Sequence, residues 1–338
     1  MEMGKKFLIN KQSVIYVVCP ANNKTGGTEL LHQLVYQLNQ IGRNAFITYY
    51  LEGNSDKNNP TPEEFKKYVN GHCFVKDVKD SEENILVLPE VCIGKHKKFK
   101  KIQKCVWWLS VDNYGVTLGK LNRLKRYGMK SFLKHLVLND YSNESDFHKI
   151  DVHLFQSYFA ADFILSKGIK KENTFYLSDY INDIYITDFD SNLKEDIVIY
   201  NPKKGYEFTQ KLIKAAPDIK WVPIQNMTNL QVQDLMRRAK IYIDFGNHPG
   251  KDRIPREAAM SGCCVITNKR GSAAYKEDVP IDSKFKFEDV DDNISNIIKT
   301  IRNCMDDYKK IIDEFKEYRT FIRGEKSKFQ DDVKKIFG

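Results

Sequence analysis

The sequence lacks any apolar run long enough to cross a bilayer, and it lacks the layout of a secretory signal. A membrane-spanning helix needs roughly 20 consecutive, mostly apolar residues. The apolar stretch near the N-terminus is short and is interrupted by Asn10, Lys11 and Gln12. We therefore expect a cytoplasmic protein, either free or peripheral at the inner face of the plasma membrane.

Cysteine is sparse, and its pattern argues against two common roles. The chain has seven cysteines, an odd number, and no two of them form a C-x-x-C pair. Most lie in strand-like apolar runs, which favours reduced, buried thiols over a disulfide framework or a zinc site. The seven are Cys19, Cys73, Cys92, Cys105, Cys263, Cys264 and Cys304.

Several binding signatures are also missing. The glycine turn after the first predicted strand is not G-x-G-x-x-G, which disfavours a nicotinamide Rossmann site. The sequence around Gly119 and Lys120 does not complete a phosphate-binding P-loop. Because the chain has neither a zinc-finger motif nor an aromatic RNP strand, we expect no nucleic-acid partner.

Basic residues outnumber acidic ones, 54 to 45, which gives a formal net charge of +9. An anionic lipid surface or a phosphorylated substrate would match this excess, and so would an ordinary solvated basic surface. A basic amphipathic helix predicted at residues 121–136 carries part of the charge. The clustered basic residues are Lys95, Lys97, Lys98, Lys100, Lys101, Lys104, Lys120, Arg123, Lys125, Arg126, Lys130 and Lys134.

Apolar strand-like runs alternate with helical spacing along most of the 338 residues, a pattern typical of α/β proteins with parallel sheets. The length favours two domains. We predict an N-terminal domain at 1–185, a polar linker at 186–195, a C-terminal domain at 196–310 and a helical tail at 311–338. The predicted fold is two Rossmann-like domains facing a cleft, with ligands beyond the carboxyl ends of the strands.

The first candidate site is the turn after the first strand, where Gly26, Gly27 and Thr28 open a predicted helix. Glycines let the backbone approach a ligand, and a helix N-terminus presents free N–H groups to an anion. A tight turn without a ligand is the alternative.

The second candidate site is the end of the strand Val106–Leu109. Asp112 follows it and would act as a general base or orient a hydroxyl group. Trp107 or Trp108 would stack on a sugar, and Trp108 is the one assigned to the acceptor, with Asn113 beside it. The alternative is that both tryptophans belong to the core and Asp112 caps a turn.

The third candidate site is the segment 244–259, in which a strand runs into a Gly- and Pro-containing loop and then into a helix. Basic side chains next to a helix N-terminus suit a diphosphate, and a carboxylate nearby can hold the two hydroxyls of a ribose. The residues of this site are Lys251, Arg253, Arg256 and Glu257, with the small-residue loop Gly271, Ser272 and Ala273 that follows.

The fourth candidate site is the turn Asn201–Gly205 at the end of the first strand of the second half. Lys203 and Lys204 would reach the phosphates of a donor, with Asn201 beside them; an exposed basic turn is the alternative. His248 shares its loop with Lys251 and is a further candidate.

These segments resemble bacterial glycosyltransferases of the GT-B fold, above all the large retaining family that includes sucrose synthase-like enzymes. Residues 25–30 are similar to the family's N-terminal Gly-Gly loop, and residues 256–262 are similar to its Glu-bearing donor helix. The resemblance implies that Glu257 holds the ribose and that Gly271–Ala273 lie near the diphosphate. The family's upstream Glu is replaced here by Pro249, so His248 or Asp252 would substitute for it.

The resemblance implies a glycosyltransferase that moves a sugar from a nucleotide-diphosphate donor to a glycan or lipid-linked acceptor. It implies no cofactor and no required metal. The basic amphipathic helix at 121–136 would suit a lipid-linked acceptor at an anionic membrane surface, in keeping with surface polysaccharide synthesis. Two alternatives stay open. One is a nucleotide-sugar epimerase or hydrolase of the same fold, and the other is a non-catalytic sugar- or nucleotide-binding protein.

Overall fold

The structure is a computed structural model that describes residues 7–52, 55–119 and 140–338, together with nine positions of the segment between. Those nine are residues 122, 124, 125, 128, 129, 132, 133, 136 and 137. The chain forms two compact units. The first is Met1–Asp179 with Ser327–Gly338, and the second is Tyr180–Lys326.

A parallel sheet of seven described strands forms the centre of the first unit, in the order β3-β2-β1-β4-β5-β6-β7. The central strands are runs of buried apolar residues, as expected for a sheet covered on both faces. The strands are β1 Val14–Pro20, β2 Asn44–Tyr50, β3 His72–Phe74, β4 Ile85–Pro89, β5 Gln103–Trp108, β6 Val152–Phe155 and β7 Thr174–Tyr176.

Three helices of the first unit start at side-chain caps. Thr25, Ser110 and Ser157 each accept a hydrogen bond from a backbone N–H of the helix that follows, which satisfies a donor left unpaired at a helix start. These helices are α1 Gly26–Gln40, α2 Val111–Thr117 and α3 Tyr158–Ser166.

The second unit contains a parallel sheet of five described strands in the order β12-β11-β10-β8-β9. Its core consists of apolar side chains from both faces of the sheet and from the helices that cover it. The strands are β8 Glu195–Tyr200, β9 Lys220–Pro223, β10 Ala239–Asp244, β11 Cys264–Asn268 and β12 Lys286–Phe287. The helices are α4 Tyr206–Ala215, α5 Asn229–Arg238, α6 Arg253–Met260, α7 Ile294–Asp306, α8 Tyr308–Ile311 and α9 Lys316–Phe337.

Helix α9 belongs to both units, because the first unit takes up the chain again at Ser327. In its last turns Phe329 stacks on Trp107 and Phe337 stacks on Phe7, with ring centroids 6.3 and 5.2 Å apart. The C-terminal residues are therefore part of the aromatic core of the first unit.

The unit boundary lies at 179/180, whereas the sequence placed a polar linker at 186–195. Those ten positions belong to the second unit. Phe189 packs so closely on the backbone of Gly262 that a Cβ there would lie 2.4 Å from its ring. This aromatic contact explains why a segment of polar composition is not a free linker.

All seven cysteines are free thiols, and all but Cys73 are buried. None of the helices formed by the described residues is long and apolar enough to cross a membrane. Half of the predicted basic helix at 121–136 lies outside the described residues, including Arg123, Arg126, Lys130 and Lys134, and so does Lys120 just before it. Lys125 is described, helical and exposed.

Candidate functional site

The second sheet reverses its strand order between β8 and β10. From β8 the chain goes to β9 on one side, and it then returns to place β10 on the other side. In open parallel sheets, ligands bind outside the carboxyl ends of the strands at such a switch point. The loops that leave β8 and β10 there are residues 201–205 and 245–252.

Lys204 joins these two loops. Its Nζ lies 2.6 Å from Oδ2 of Asp252 and 3.0 Å from Oδ2 of Asp244, and it donates to the carbonyl of Asn247 at 3.4 Å. Burial lowers the pKa of Lys204, but the two carboxylates more than offset this effect, so the pKa lies above its usual value. Lys204 is therefore a held, charged cation at the switch point.

His248 lies between the same two carboxylates. Its Nδ1 is 2.8 Å from Oδ2 of Asp252, and its Nε2 is 3.6 Å from Oδ1 of Asp244. Burial raises the pKa of Asp252, but the contacts with His248 and Lys204 outweigh it and hold the pKa below its usual value. Asp252 is therefore an anion at neutral pH.

The side chains of Asp244, His248 and Asp252 have ligand atoms within 4.8 Å of one another, a spacing that a metal ion could use. The ammonium group of Lys204 already contacts both carboxylates, so the chain supplies a positive charge of its own at this place. The sequence-based expectation that no metal is required stays a prediction.

The small-residue loop after β11 fixes the shape of the loop after β10. Ser272 donates from its backbone N–H to the carbonyl of His248 at 2.9 Å and from its hydroxyl to the carbonyl of Gly250 at 2.6 Å. Gly271 has φ +54°, and a Cβ there would lie 2.0 Å from the same His248 carbonyl oxygen. Ser272 and Ala273 are also buried, and the predicted phosphate loop thus holds the loop after β10 in place.

Lys251 and Arg256 were both predicted to bind a diphosphate, but in the structure both form ion pairs with Glu325. Both side chains are buried, and they contact the two oxygens of Glu325 at 2.8 and 2.7 Å. Arg256 also donates to the carbonyls of Lys251 and Asp252 at 3.0 and 3.1 Å. Their prediction as phosphate ligands is corrected: a cation that is enclosed and bound to a carboxylate and loop carbonyls shapes the loop instead.

The other predicted donor residues lie on or near the same edge of the sheet. Lys203 is exposed, and its backbone N–H donates to the side-chain oxygen of Asn201 at 3.0 Å. Arg253 and Glu257 are half-buried at the start and in the middle of α6. Burial and the carboxylate of Glu257 raise the pKa of the Tyr185 hydroxyl.

The first sheet has its own switch point, between β1 and β4. Gly26 and Gly27 form the first turn of α1 there, and a Cβ at Gly27 would make only ordinary contact, 3.7 Å from a Leu109 methyl group. Thr28 is buried, and its hydroxyl donates to the carbonyl of Asn23 at 2.9 Å. The Thr28 hydroxyl therefore bonds within the turn itself, and the predicted contact of the turn with the donor stays a prediction.

Asp112 and Asn113 lie exposed in the first turn of α2, where Ser110 caps the helix by accepting from the Asn113 N–H. Both are in the first unit, whereas His248 and Asp252 are in the second. Their roles toward an acceptor stay predictions.

Trp108 does not fit the role of a sugar-stacking residue. Its side chain is 0% exposed and stacks on Phe147 with ring centroids 4.9 Å apart. Its indole N–H donates to Nδ1 of His153 at 3.0 Å. Because both the ring and its polar atom are covered by other core residues, Trp108 is a core residue, as in the alternative given above.

Three acidic residues received no role from the sequence. Asp244 ends β10 and Glu90 follows β4, so the rule that strand ends carry functional groups would have found both. Glu90 accepts from the Leu109 N–H at 3.1 Å, and burial raises its pKa to about 7. No local signal in the sequence connects Glu325 to Arg256, which lies 69 positions earlier.

No protein-family model matches this sequence, and no curated protein matches it in sequence. Solved structures do match in fold. Anabaena HepE, solved with UDP and glucose, is 11% identical with a TM-score of 0.61, covering 96% of this chain and 97% of HepE. The lipopolysaccharide outer core galactosyltransferase WaaB is 10% identical with a TM-score of 0.57, covering 92% of this chain and 96% of WaaB.

S. aureus TarM is 14% identical with a TM-score of 0.53. The match covers 77% of this chain but only 56% of the TarM chain. Identities this low show the fold alone. Together these matches confirm the predicted fold, that of GT-B glycosyltransferases with two Rossmann-like domains.

Proposed function

We propose that this protein is a nucleotide-sugar-dependent glycosyltransferase whose donor site lies at the carboxyl edge of the second sheet. The observation that carries the proposal is the position of Lys204, a partly exposed cation between the loops that leave β8 and β10 at the switch point. A nucleoside diphosphate is the anion that such a place in a parallel sheet would bind. HepE was solved with UDP-glucose and matches this chain over 98% of its own length, which makes UDP the first nucleotide to test.

In this proposal Lys204 stabilises the negative charge that develops on the departing diphosphate, the task a metal ion performs elsewhere. Glu257 holds the ribose hydroxyls, and Lys203, Arg253 and the Gly271–Ala273 backbone lie around the phosphates. His248 and Asp252 stand where the donor sugar would lie. Asp112 and Asn113 serve a glycan or lipid-linked acceptor, and no metal is required.

Replacing Glu257 by alanine should weaken nucleotide binding by about 10- to 100-fold, because hydrogen bonds to a charged group contribute about 1.5–3 kcal/mol. Calorimetry against UDP, GDP, ADP, CMP and dTDP measures the affinity of both proteins and identifies the base. The matched control is Glu317→Ala, which changes an exposed glutamate on α9. This variant should bind the nucleotide like the wild type.

If none of these nucleotides binds the wild type, the proposed function is wrong. If one binds, product analysis separates the enzyme classes. Turnover that depends on an acceptor supports transfer, whereas turnover without any acceptor favours an epimerase or hydrolase. Binding without turnover under any acceptor favours a non-catalytic protein.

We further propose that the segment 120–137 rests on an anionic membrane surface, in keeping with a lipid-linked acceptor and a role in surface polysaccharide synthesis. No acidic residue occurs between Asn113 and Asn139, whereas six residues of this stretch are lysine or arginine. The described apolar side chains Met129, Leu133, Leu136 and Val137 are 43–86% exposed and recur at helical spacing. A basic helix with an exposed apolar face suits a bilayer interface.

Changing Lys125, Arg126, Lys130 and Lys134 to glutamine should lower binding to vesicles containing phosphatidylglycerol by more than about tenfold, because each basic residue near an anionic surface contributes about 1 kcal/mol. Sedimentation with vesicles measures it, and vesicles of phosphatidylcholine alone are the control. Equal binding of the variant and the wild type to the anionic vesicles would rule out this surface.

A further inference from the structure

The ammonium group of Lys204 has no hydrogen to spare for a new ligand. An ammonium group carries three N–H donors. Each has an acceptor here: Asp244 Oδ2 at 3.0 Å, Asp252 Oδ2 at 2.6 Å and the Asn247 carbonyl at 3.4 Å. A phosphate oxygen can therefore reach Lys204 at full strength only if one of these acceptors withdraws.

Asp244 is not the acceptor that withdraws. Its side chain is 1% exposed. Its two oxygens also accept from the Tyr242 hydroxyl at 2.8 Å and from the Gly246 backbone N–H at 3.1 Å. Loss of Lys204 alone would leave this carboxylate buried in the same place.

The side chain of Asp252 is exposed enough to move, and a second hydrogen-bonding position is open to it. Its side chain is 28% exposed. It occupies the N-cap position of α6, yet its carboxylate makes no capping hydrogen bond to any described residue. The N-cap aspartate is a favoured residue because its oxygen accepts from a backbone N–H of the first turn. Pro255 has no N–H to offer, so that of Ile254 is the available donor.

We propose that Asp252 is the counter-ion that a donor diphosphate replaces at Lys204, and that it thereby sets the affinity of the site for nucleoside diphosphates. The inference rests on the proposed function and assigns Asp252 a role distinct from any contact with the donor sugar. On binding, a phosphate oxygen takes the place of Oδ2 beside Lys204, and the released carboxylate caps α6. The carboxylate gives up its contact with His248 Nδ1, 2.8 Å from the same oxygen, in the same exchange.

The inference predicts a gain of affinity on removal of a charge. Asp252→Asn should bind the nucleoside diphosphate found in the screen about tenfold more tightly than the wild type, since a strong charged competitor is lost. Its affinity for the parent nucleoside should not change, because the nucleoside has no phosphate to compete for Lys204. Calorimetry measures both affinities, starting with UDP and uridine.

Two further variants make the test specific. Asp218→Asn removes the same charge in the same unit but at the amino end of β9, and it should bind like the wild type. Lys204→Met should bind the diphosphate more weakly, and adding Asp252→Asn to it should bring no gain. Asp252→Ser, which also caps helices well, replaces Asp252→Asn if the latter unfolds.

The outcomes separate the two proposals. If the wild type binds a nucleoside diphosphate and neither Asp252 variant binds it more tightly, this inference alone is wrong. If neither the wild type nor the variants bind any nucleoside diphosphate, the proposed function fails and this inference fails with it. An equal gain for the parent nucleoside would also overturn it.

Discussion

Replacing Glu325 by glutamine will lower the free energy of unfolding of the second unit by about 3–5 kcal/mol, the usual cost of removing one partner from a buried ion pair. The carboxylate is 3% exposed and contacts both Lys251 and Arg256. Without it, the two cations lose the anion that they share in a buried place. Urea unfolding followed by circular dichroism measures the change.

The control for this prediction is Glu317→Gln on the same helix, which is exposed and should change stability by no more than about 0.5 kcal/mol. The double variant with Lys251→Met and Glu325→Gln should lose less free energy of unfolding than the two single variants lose in sum, because the two residues interact directly. A Glu325→Gln protein as stable as the Glu317→Gln protein would show that the buried network does not hold the loop.

Replacing Gly271 by alanine will destabilise the second unit by more than about 3 kcal/mol and will also weaken nucleotide binding. The left-handed backbone at φ +54° costs an alanine about 1–2 kcal/mol. Its Cβ would in addition lie 2.0 Å from the His248 carbonyl oxygen, which is backbone and cannot turn aside. The loop 248–252 must then move, and His248 and Asp252 move with it.

Gly42→Ala separates the two causes. Gly42 has φ +77°, but nothing lies within 4 Å of the position of its Cβ. Its replacement should lower the free energy of unfolding only by the cost of a left-handed alanine, about 1–2 kcal/mol, and should leave nucleotide binding unchanged. Equal losses for the two variants, measured by urea unfolding, would mean that the close approach of Gly271 to His248 is unimportant.

The fold was predictable because continuous apolar runs in the sequence indicate buried parallel strands, and because the apolar residues of the helices between them recur with a period of about 3.6 residues. The positions of Lys204, His248 and Asp252 were predictable for the same reason, since each lies in a loop that follows a strand, whereas their roles stay predictions. That the three would contact one another follows from the adjacency of β8 and β10, which no local pattern specifies.

The errors share a physical cause. Lys251 and Arg256 look like phosphate ligands in the sequence because a basic loop beside a helix start is attractive to an anion. Their actual partner, Glu325, lies on the last helix, and tertiary packing alone brings it there. Trp108 was misassigned in the same way, because a tryptophan at a strand end gives no sign of whether Phe147 and His153 already cover its ring.

The path of α9 makes the second unit an insertion within the first. The chain leaves the first unit after Asp179 and returns to it at Ser327, so the first unit can be completed only after the second unit has been synthesised. Until Phe329 and Phe337 arrive, Trp107 and Phe7 lack their stacking partners. The N-terminal unit is therefore expected to finish folding last, after the inserted unit between its two parts has been fully synthesised.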